Sequence, residues 1–135
     1  MPEVIVGGGQ TWSVAHAPAA NTQATITRAA PGAGHRNVCT GLTVTITGGA
    51  SAPAAKTMSV AIIDGATAGT AYLWGPISIS IPAVAGAMNG IARSNLWIPG
   101  TPNTAMTLEF SVAGGASTVQ SVSLEGVVDV GGTRQ

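Results

Sequence analysis

The segment from Thr104 to Gly126, TAMTLEFSVAGGASTVQSVSLEG, contains two β-strand patterns separated by a pair of glycines. Before the glycines every second residue is apolar, namely Met106, Leu108, Phe110 and Val112. This period of two is typical of a strand with one buried and one solvated face. Gly114 and Gly115 tolerate the positive φ that a tight reversal needs. The segment therefore predicts a long antiparallel hairpin, which needs further strands to cover it.

The second strand of this hairpin, Thr118 to Leu124, has an apolar pattern that changes phase. Val119 is followed by Val122 and Leu124, so the alternation shifts once along the strand. A β-bulge near Gln120 and Ser121 would produce such a shift. Residues 126–130 extend this strand beyond Leu124.

Further strand patterns precede the hairpin, and nothing in the sequence has a helical period. They cover Thr11–Ala15, Gln23–Ala29, Val38–Thr47, Thr57–Ile63, Ala71–Ile81 with a break at Gly75-Pro76, and one short strand within Met88–Ile98. About eight strands with turn signals between them predict an all-β fold, an antiparallel β-sandwich. The long connections favour a jelly-roll-like arrangement. We expect an N-terminal arm over residues 1–20 and a single sandwich domain over residues 21–135.

Residues Val38 to Thr47 form the clearest single strand. One face carries Val38, Thr40, Leu42, Val44 and Ile46, and the other carries Cys39, Gly41, Thr43, Thr45 and Thr47. Threonine is β-branched and only weakly polar, so a threonine ladder can pack against a neighbour at little desolvation cost. The pattern predicts that the threonine side is the outer one.

The composition is poor in charge. Hydrophobic residues make up 45% of the 135 residues and charged residues 7%, with five basic and five acidic side chains. A surface with so few charges favours a chain that packs against neighbouring proteins, because there is no net charge to make copies repel each other. The basic residues form no stripe, so we expect no nucleic-acid partner. We also expect no secretory signal and no membrane span, and the lone Cys39 fits assembly in a reducing cytoplasm.

Few residues could bind a metal or catalyse a reaction. His16, His35 and Cys39 are the soft metal ligands, and loop histidines with one buried thiol explain them better than a zinc site does. We expect no metal and no cofactor.

The carboxylates available for acid–base chemistry are Asp64, Glu109, Glu125 and Asp129. In the predicted hairpin Glu109 and Glu125 could face each other, as the carboxylate pair of a glycosidase does. Glu109, however, shares the polar face of its strand with Thr107 and Ser111, so we expect it to be solvated or at an interface. The sequence has no nucleophile elbow, phosphate-binding loop or dinucleotide motif. We therefore expect that the protein is not an enzyme.

Trp12, Trp74 and Trp97 are the remaining residues of interest. Tryptophan buries a large area and is enriched at interfaces, so we expect each to anchor the core or a contact between subunits. The alternative is a sugar-stacking platform that also includes Tyr72.

The chain resembles small virion structural proteins of tailed bacteriophages from about Gln23 onward. The resemblance lies in HRNVCTGLTVTITGG at 35–49, IIDG at 62–65, TAYLW at 70–74, SNLWIPGTPNTAMTLEFSVAGG at 94–115 and SVSLEG at 121–126. It implies a virion structural protein and brings no catalytic residue with it. Phage proteins of this size and architecture often serve as capsid decoration, or cement, proteins.

The resemblance implies a partner and a location as well. Decoration proteins commonly sit as homotrimers on the capsid exterior, where each clamps neighbouring major capsid proteins. We therefore expect a protein of the capsid surface that assembles in the host cytoplasm. We expect the arm and the threonines Thr43, Thr45 and Thr47 to make the contacts between subunits. A tail or receptor-binding component with a carbohydrate-binding β-sandwich is the alternative function.

Overall fold

The computed structural model of the chain describes residues 10–48, 56–82 and 84–130. These residues form nine β-strands and no helix. The strands are β1 (Gln10–His16), β2 (Thr25–Arg28), β3 (Arg36–Gly48), β4 (Lys56–Asp64), β5 (Tyr72–Ile81), β6 (Met88–Arg93), β7 (Ile98–Pro99), β8 (Met106–Phe110) and β9 (Thr118–Asp129).

The strands lie in two antiparallel sheets that pack face to face. The first sheet has the order β1-β9-β3-β6, and the short β7 also pairs with β3. The second sheet has the order β2-β8-β4-β5. Apart from β4 and β5, neighbours in each sheet are not consecutive in sequence, and the chain crosses repeatedly from one sheet to the other. This is the strand order of a jelly roll, so the predicted jelly-roll-like sandwich is confirmed.

The core lies between the two sheets and is made by alternate residues of the long strands. The largest fully buried apolar side chains are those of Ile46, Ile62, Met106, Leu108, Phe110 and Leu124. Each comes from a strand whose period of two turns apolar residues inward. The burial of these side chains is the main force that holds the sheets together.

The predicted hairpin of residues 104–126 is wrong. β8 pairs with β2 and β4 in the second sheet, whereas β9 pairs with β1 and β3 in the first. Residues 111–117 therefore carry the chain across the sandwich instead of reversing it within one sheet. Gly115 does adopt a positive φ of 99°, but it lies in the connection between the two sheets and not in a hairpin turn.

The bulge predicted at Gln120 and Ser121 is also wrong. β9 alternates without interruption here, with Gln120 fully buried and Val119 exposed on the outer face. The register shift lies in β3 instead, where Thr40 is skipped between the pairs Cys39–Gly126 and Gly41–Glu125. Because a bulge reverses the side-chain alternation, Cys39 packs in the core and not on the outer face as predicted.

The predicted break at Gly75-Pro76 is confirmed. It lies in β5, an edge strand of the second sheet, where proline costs no ladder hydrogen bond on the open side. Opposite it, the pairing of β4 shifts register between Val60 and Ile62.

The described part of the predicted arm contributes to the sandwich. Residues 10–16 form β1, which pairs along its whole length with β9 and places Trp12 in the core. Residues 1–9 lie outside the described residues. A deletion that probes the arm should therefore stop at residue 9, since removing residues 10–16 would strip an edge strand from the first sheet.

Candidate functional site

The outer surface of the first sheet is broad and nearly free of charge at its centre. Its middle rows follow the strand register, with Thr43 between Ser123 and Ala92, and Thr45 between Ser121 and Gly90. We call this surface the threonine face, defined by Thr43, Thr45, Thr47, Gly90, Ala92, Ser121 and Ser123. Thr43 is exposed, whereas Thr45 and Thr47 are half-buried.

Two hydroxyl groups of the threonine face form a hydrogen bond with each other. The Oγ1 atom of Thr45 lies 2.6 Å from the Oγ atom of Ser121. Such mutual bonding lowers the cost of covering the face, because part of the hydrogen-bonding capacity is already satisfied within the chain. Small, internally bonded side chains make this a surface that another protein can cover closely.

The two ends of the threonine face differ in chemistry. At one end, exposed Val119 and Met88 flank Thr47, and both are large apolar side chains open to solvent. At the other end, Arg93 and Glu125 line a shallow groove of about 240 Å³ beside Thr43. Because one end of the threonine face is apolar and the other is charged, a partner could bind the face in one defined orientation.

The three tryptophans do not come together as a platform. Trp12 is buried in the core, and the guanidinium carbon of Arg28 lies 5.4 Å from its ring centre. Trp74 is half-buried and packs against the core. Only Trp97, which is 57% exposed, is available to another molecule. Of the residues predicted at interfaces, Trp97 and the three threonines therefore remain accessible.

A second candidate site lies on the opposite sheet. The connection from β4 to β5, residues 65–71, folds back over the outer face of β4 and β8 and encloses a cleft of about 220 Å³. The cleft is lined by Ser59, Ala61, Ile63, Ala68, Gly69, Thr70, Tyr72, Pro76, Glu109 and Ser111. We call it the Glu109 cleft. It combines apolar walls with hydroxyl groups and one carboxylate.

Glu109 is more enclosed than the sequence predicted. It is 8% exposed, and its Oε1 atom accepts a hydrogen bond from the backbone nitrogen of Ala68 at 2.8 Å. Its Oε2 atom accepts one from Thr25 Oγ1 at 3.2 Å. Ala68 has a positive φ of 63°, a conformation that costs energy for a non-glycine residue. Glu109 was expected to be solvated or at an interface; it is not solvated, and its buried carboxylate holds the connection in place.

The other carboxylates lie apart from Glu109. Glu125 is on the first sheet, so the pair predicted across a hairpin does not form. Asp129 forms an ion pair with Arg36 at 3.0 Å. Asp64 accepts a hydrogen bond from the backbone nitrogen of Thr101 at 3.0 Å, which joins the end of β4 to the loop after β7.

The residues considered as soft metal ligands do not lie together in a cluster. Among the described residues, no three histidine, cysteine or acidic side chains lie close enough to hold a metal ion. His35 lies in a loop, where its Nδ1 atom is 2.9 Å from the carbonyl oxygen of Ala33, and Cys39 is a buried free thiol.

Burial makes the Cys39 thiol an unusually weak acid. Desolvation raises the pKa of this thiol from 9.0 to about 11, and the nearby Glu125 carboxylate adds to the shift. Between about pH 9 and pH 11 the Cys39 thiol therefore keeps its proton in the folded protein, whereas it loses the proton in the unfolded chain. Since the folded pKa is the higher one, the stability that this thiol contributes is complete below pH 9 and is lost as the pH rises towards 11.

A pH series of unfolding experiments tests this account of Cys39. Between pH 8 and pH 10.5 the free energy of unfolding should fall by about 2 kcal/mol more in the native protein than in Cys39→Ala. Cys39→Ala also loses packing in the core, but this loss is the same at every pH. It therefore does not affect the difference between the two proteins in how stability changes with pH. Equal alkaline losses in the two proteins would show that Cys39 is not a buried neutral thiol.

Within the part of the chain that the structure describes, there is no helix with the length and apolarity needed to cross a membrane. No protein-family model matches the sequence, and no curated protein is significantly similar to it. The threonine face and the Glu109 cleft are therefore the features from which a function has to be inferred.

Proposed function

We propose that this protein is a phage virion structural protein, a capsid decoration (cement) protein that binds the outer capsid surface and stabilises neighbouring major capsid proteins. The observation that carries the proposal is the threonine face. It offers a broad surface of small hydroxyl and methyl groups with charge confined to one end. A partner can cover such a surface without stripping water from ions.

Two further features support the proposal. Jelly rolls are common among viral capsid domains, although fold by itself does not determine function. The sequence resemblance to small virion proteins of tailed phages points the same way. In a shell, many copies bind side by side, so a modest contact area per copy is enough for stable decoration.

The proposal includes self-association, with a homotrimer as the expected unit on the capsid surface. Light scattering on the purified 13.2 kDa chain measures this directly. A mass three times that of the chain supports the trimer. A protein that stays monomeric at high concentration would contradict this part of the proposal, because copies would then contact each other only when bound to a shell.

A charge placed on the threonine face should abolish decoration. In Thr43→Arg an exposed side chain gains a charge that the partner would have to desolvate. The affinity for empty capsid shells, taken from occupancy over a range of protein concentrations, should therefore fall at least tenfold, an effect of about 1.4 kcal/mol or more. Co-sedimentation with the shells measures occupancy. The matched control is Ser78→Arg, which adds the same charge at an exposed position of β5 on the opposite sheet.

The two variants together decide the result. The proposal expects Ser78→Arg to bind as the native protein does, and both variants to keep the native melting temperature. Undiminished binding by Thr43→Arg, or equal loss in both variants, would contradict a specific role for the threonine face.

The carbohydrate-binding alternative has less support. It depended on a platform of tryptophans, and two of the three side chains are turned into the chain itself. Trp97 alone offers one stacking surface.

A further inference from the structure

The Glu109 cleft contains a carboxylate that lacks a cationic partner among the described side chains. The two hydrogen bonds that it accepts from described residues come from neutral donors, the backbone of Ala68 and the hydroxyl of Thr25. A carboxylate has room for about four hydrogen bonds, so capacity remains on both oxygens. An enclosed charge is expensive unless it is paired.

The arginines that the structure describes are engaged elsewhere. Arg36 pairs with Asp129, Arg28 lies over the ring of Trp12, and Arg93 Nη1 donates to its neighbouring carbonyl at Ala92. None of the described arginines therefore neutralises Glu109.

The shape of the cleft limits the size of a molecule that could bind in it. Its volume of about 220 Å³ is below the roughly 300–1,000 Å³ of sites that take drug-sized ligands. It suits one side chain better than a cofactor or an oligosaccharide. Ala61 and Glu109 lie side by side on adjacent strands and form the floor.

The walls match a long basic side chain. Tyr72, which is 49% exposed, and Pro76 stand on β5 and offer an aromatic and an aliphatic surface. A guanidinium group stacks well on an aromatic ring, and its methylene stem packs on apolar walls. Ser59 and Ser111 supply hydroxyl oxygens for N–H groups that the carboxylate does not take.

We propose that the Glu109 cleft binds the guanidinium group of an arginine side chain presented by a partner protein. Two of the N–H groups would face the carboxylate oxygens, since a planar guanidinium matches a carboxylate in a bidentate manner. The site lies on the sheet opposite the threonine face, so it does not depend on the proposed binding of that face to a shell.

Titration followed by NMR tests the cleft with small ligands. The ligand is N-acetyl-arginine N-methylamide, and the matched control ligand is the citrulline analogue, which has nearly the same shape and no charge. The arginine compound should shift the amide signals of residues 68–72 and 109–111, and the citrulline compound should bind at least about tenfold more weakly. Equal binding of the two compounds would overturn the proposal. So would binding of methyl glucoside in preference to the arginine compound.

Two variants separate recognition from folding. Glu109→Gln keeps the size of the side chain and an oxygen for the Ala68 bond, so the fold should persist while affinity for the arginine compound falls at least about tenfold. Tyr72→Ala removes a largely exposed ring and should weaken binding without affecting the bonds to Glu109. If Tyr72→Ala and Glu109→Gln both remain folded and bind as the native protein does, the cleft is not an arginine site.

Discussion

Gly126→Ala is expected to destabilise the protein by about 3 kcal/mol or more, which is the upper range for overpacking a core position. A Cβ atom at this position would lie 2.0 Å from the carbonyl oxygen of Val38 and 2.5 Å from Cζ2 of Trp12. The first contact is with backbone in the adjacent strand, which cannot move without breaking the β3–β9 ladder. The second would push Trp12 out of its place in the core. Urea unfolding measures the loss.

Gly41→Ala is the matched control for Gly126→Ala. Gly41 lies next to Gly126 in the β3–β9 pairing, but its added Cβ atom would meet only the flexible side chain of Glu125, with Oε2 at 2.9 Å. An exposed glutamate can turn away, so the change should cost less than about 1 kcal/mol. Comparable losses in the two variants would show that the close approach of β3, β9 and Trp12 is not as the structure has it.

Gln120→Leu is expected to cost about 2 to 4 kcal/mol, although leucine fits a core of this kind by size and polarity. Gln120 is fully buried, and its Oε1 atom accepts a hydrogen bond from the backbone of Ala24 at 2.8 Å. Its Nε2 atom donates to the carbonyl oxygen of Val112 at 2.8 Å. Leucine would leave the backbone nitrogen of Ala24 buried without a partner just before β2, and it would remove the hydrogen bond to Val112 in the crossing from β8 to β9.

Val119→Ala completes this second experiment. Val119 is 38% exposed on the outer face, so its truncation should change the free energy of unfolding by less than about 1 kcal/mol. With the bulge predicted from the sequence, Val119 would instead point into the core and Gln120 would be exposed. A larger loss in Val119→Ala than in Gln120→Leu would therefore support the sequence prediction against the structure.

The strands were largely predictable, and their partners were not. The period of two in β3 and β8 locates both strands and most of their inner residues. The pair Gly114-Gly115 indicates a reversal, but a local signal cannot tell a hairpin within one sheet from a crossing between two sheets. That choice depends on which strands cover Phe110 and Leu124, and it is settled only by the packing of the whole chain.

The bulge of the first sheet was predicted in β9 instead of β3, because polarity is an imperfect guide to exposure. Gln120 is polar, but it is buried in the core and hydrogen-bonded there. The alternation of apolar residues in the sequence of β9 therefore changes phase at Gln120, although the strand itself is regular. The true bulge at Thr40 follows no apolar signal, since Val38, Cys39 and Leu42 fit either face. For the same reason Glu109 was expected at the surface, although the connection over residues 65–71 covers it.

The two candidate sites lie on opposite sides of the sandwich. The threonine face is flat and suits a broad contact, whereas the Glu109 cleft is small and suits one side chain. Each can be disabled by a substitution that leaves the other untouched, namely Thr43→Arg and Glu109→Gln. Their contributions to any assembly can therefore be measured separately.

An electron cryomicroscopy map of empty capsid shells saturated with the protein is the most direct test of the proposed role. A decoration protein should give added density on the outer capsid surface, with the first sheet turned so that Thr43, Thr45 and Thr47 are covered by a capsid protein or a neighbouring copy. Shells without added density, or copies that bind with the threonine face open to solvent, would contradict it.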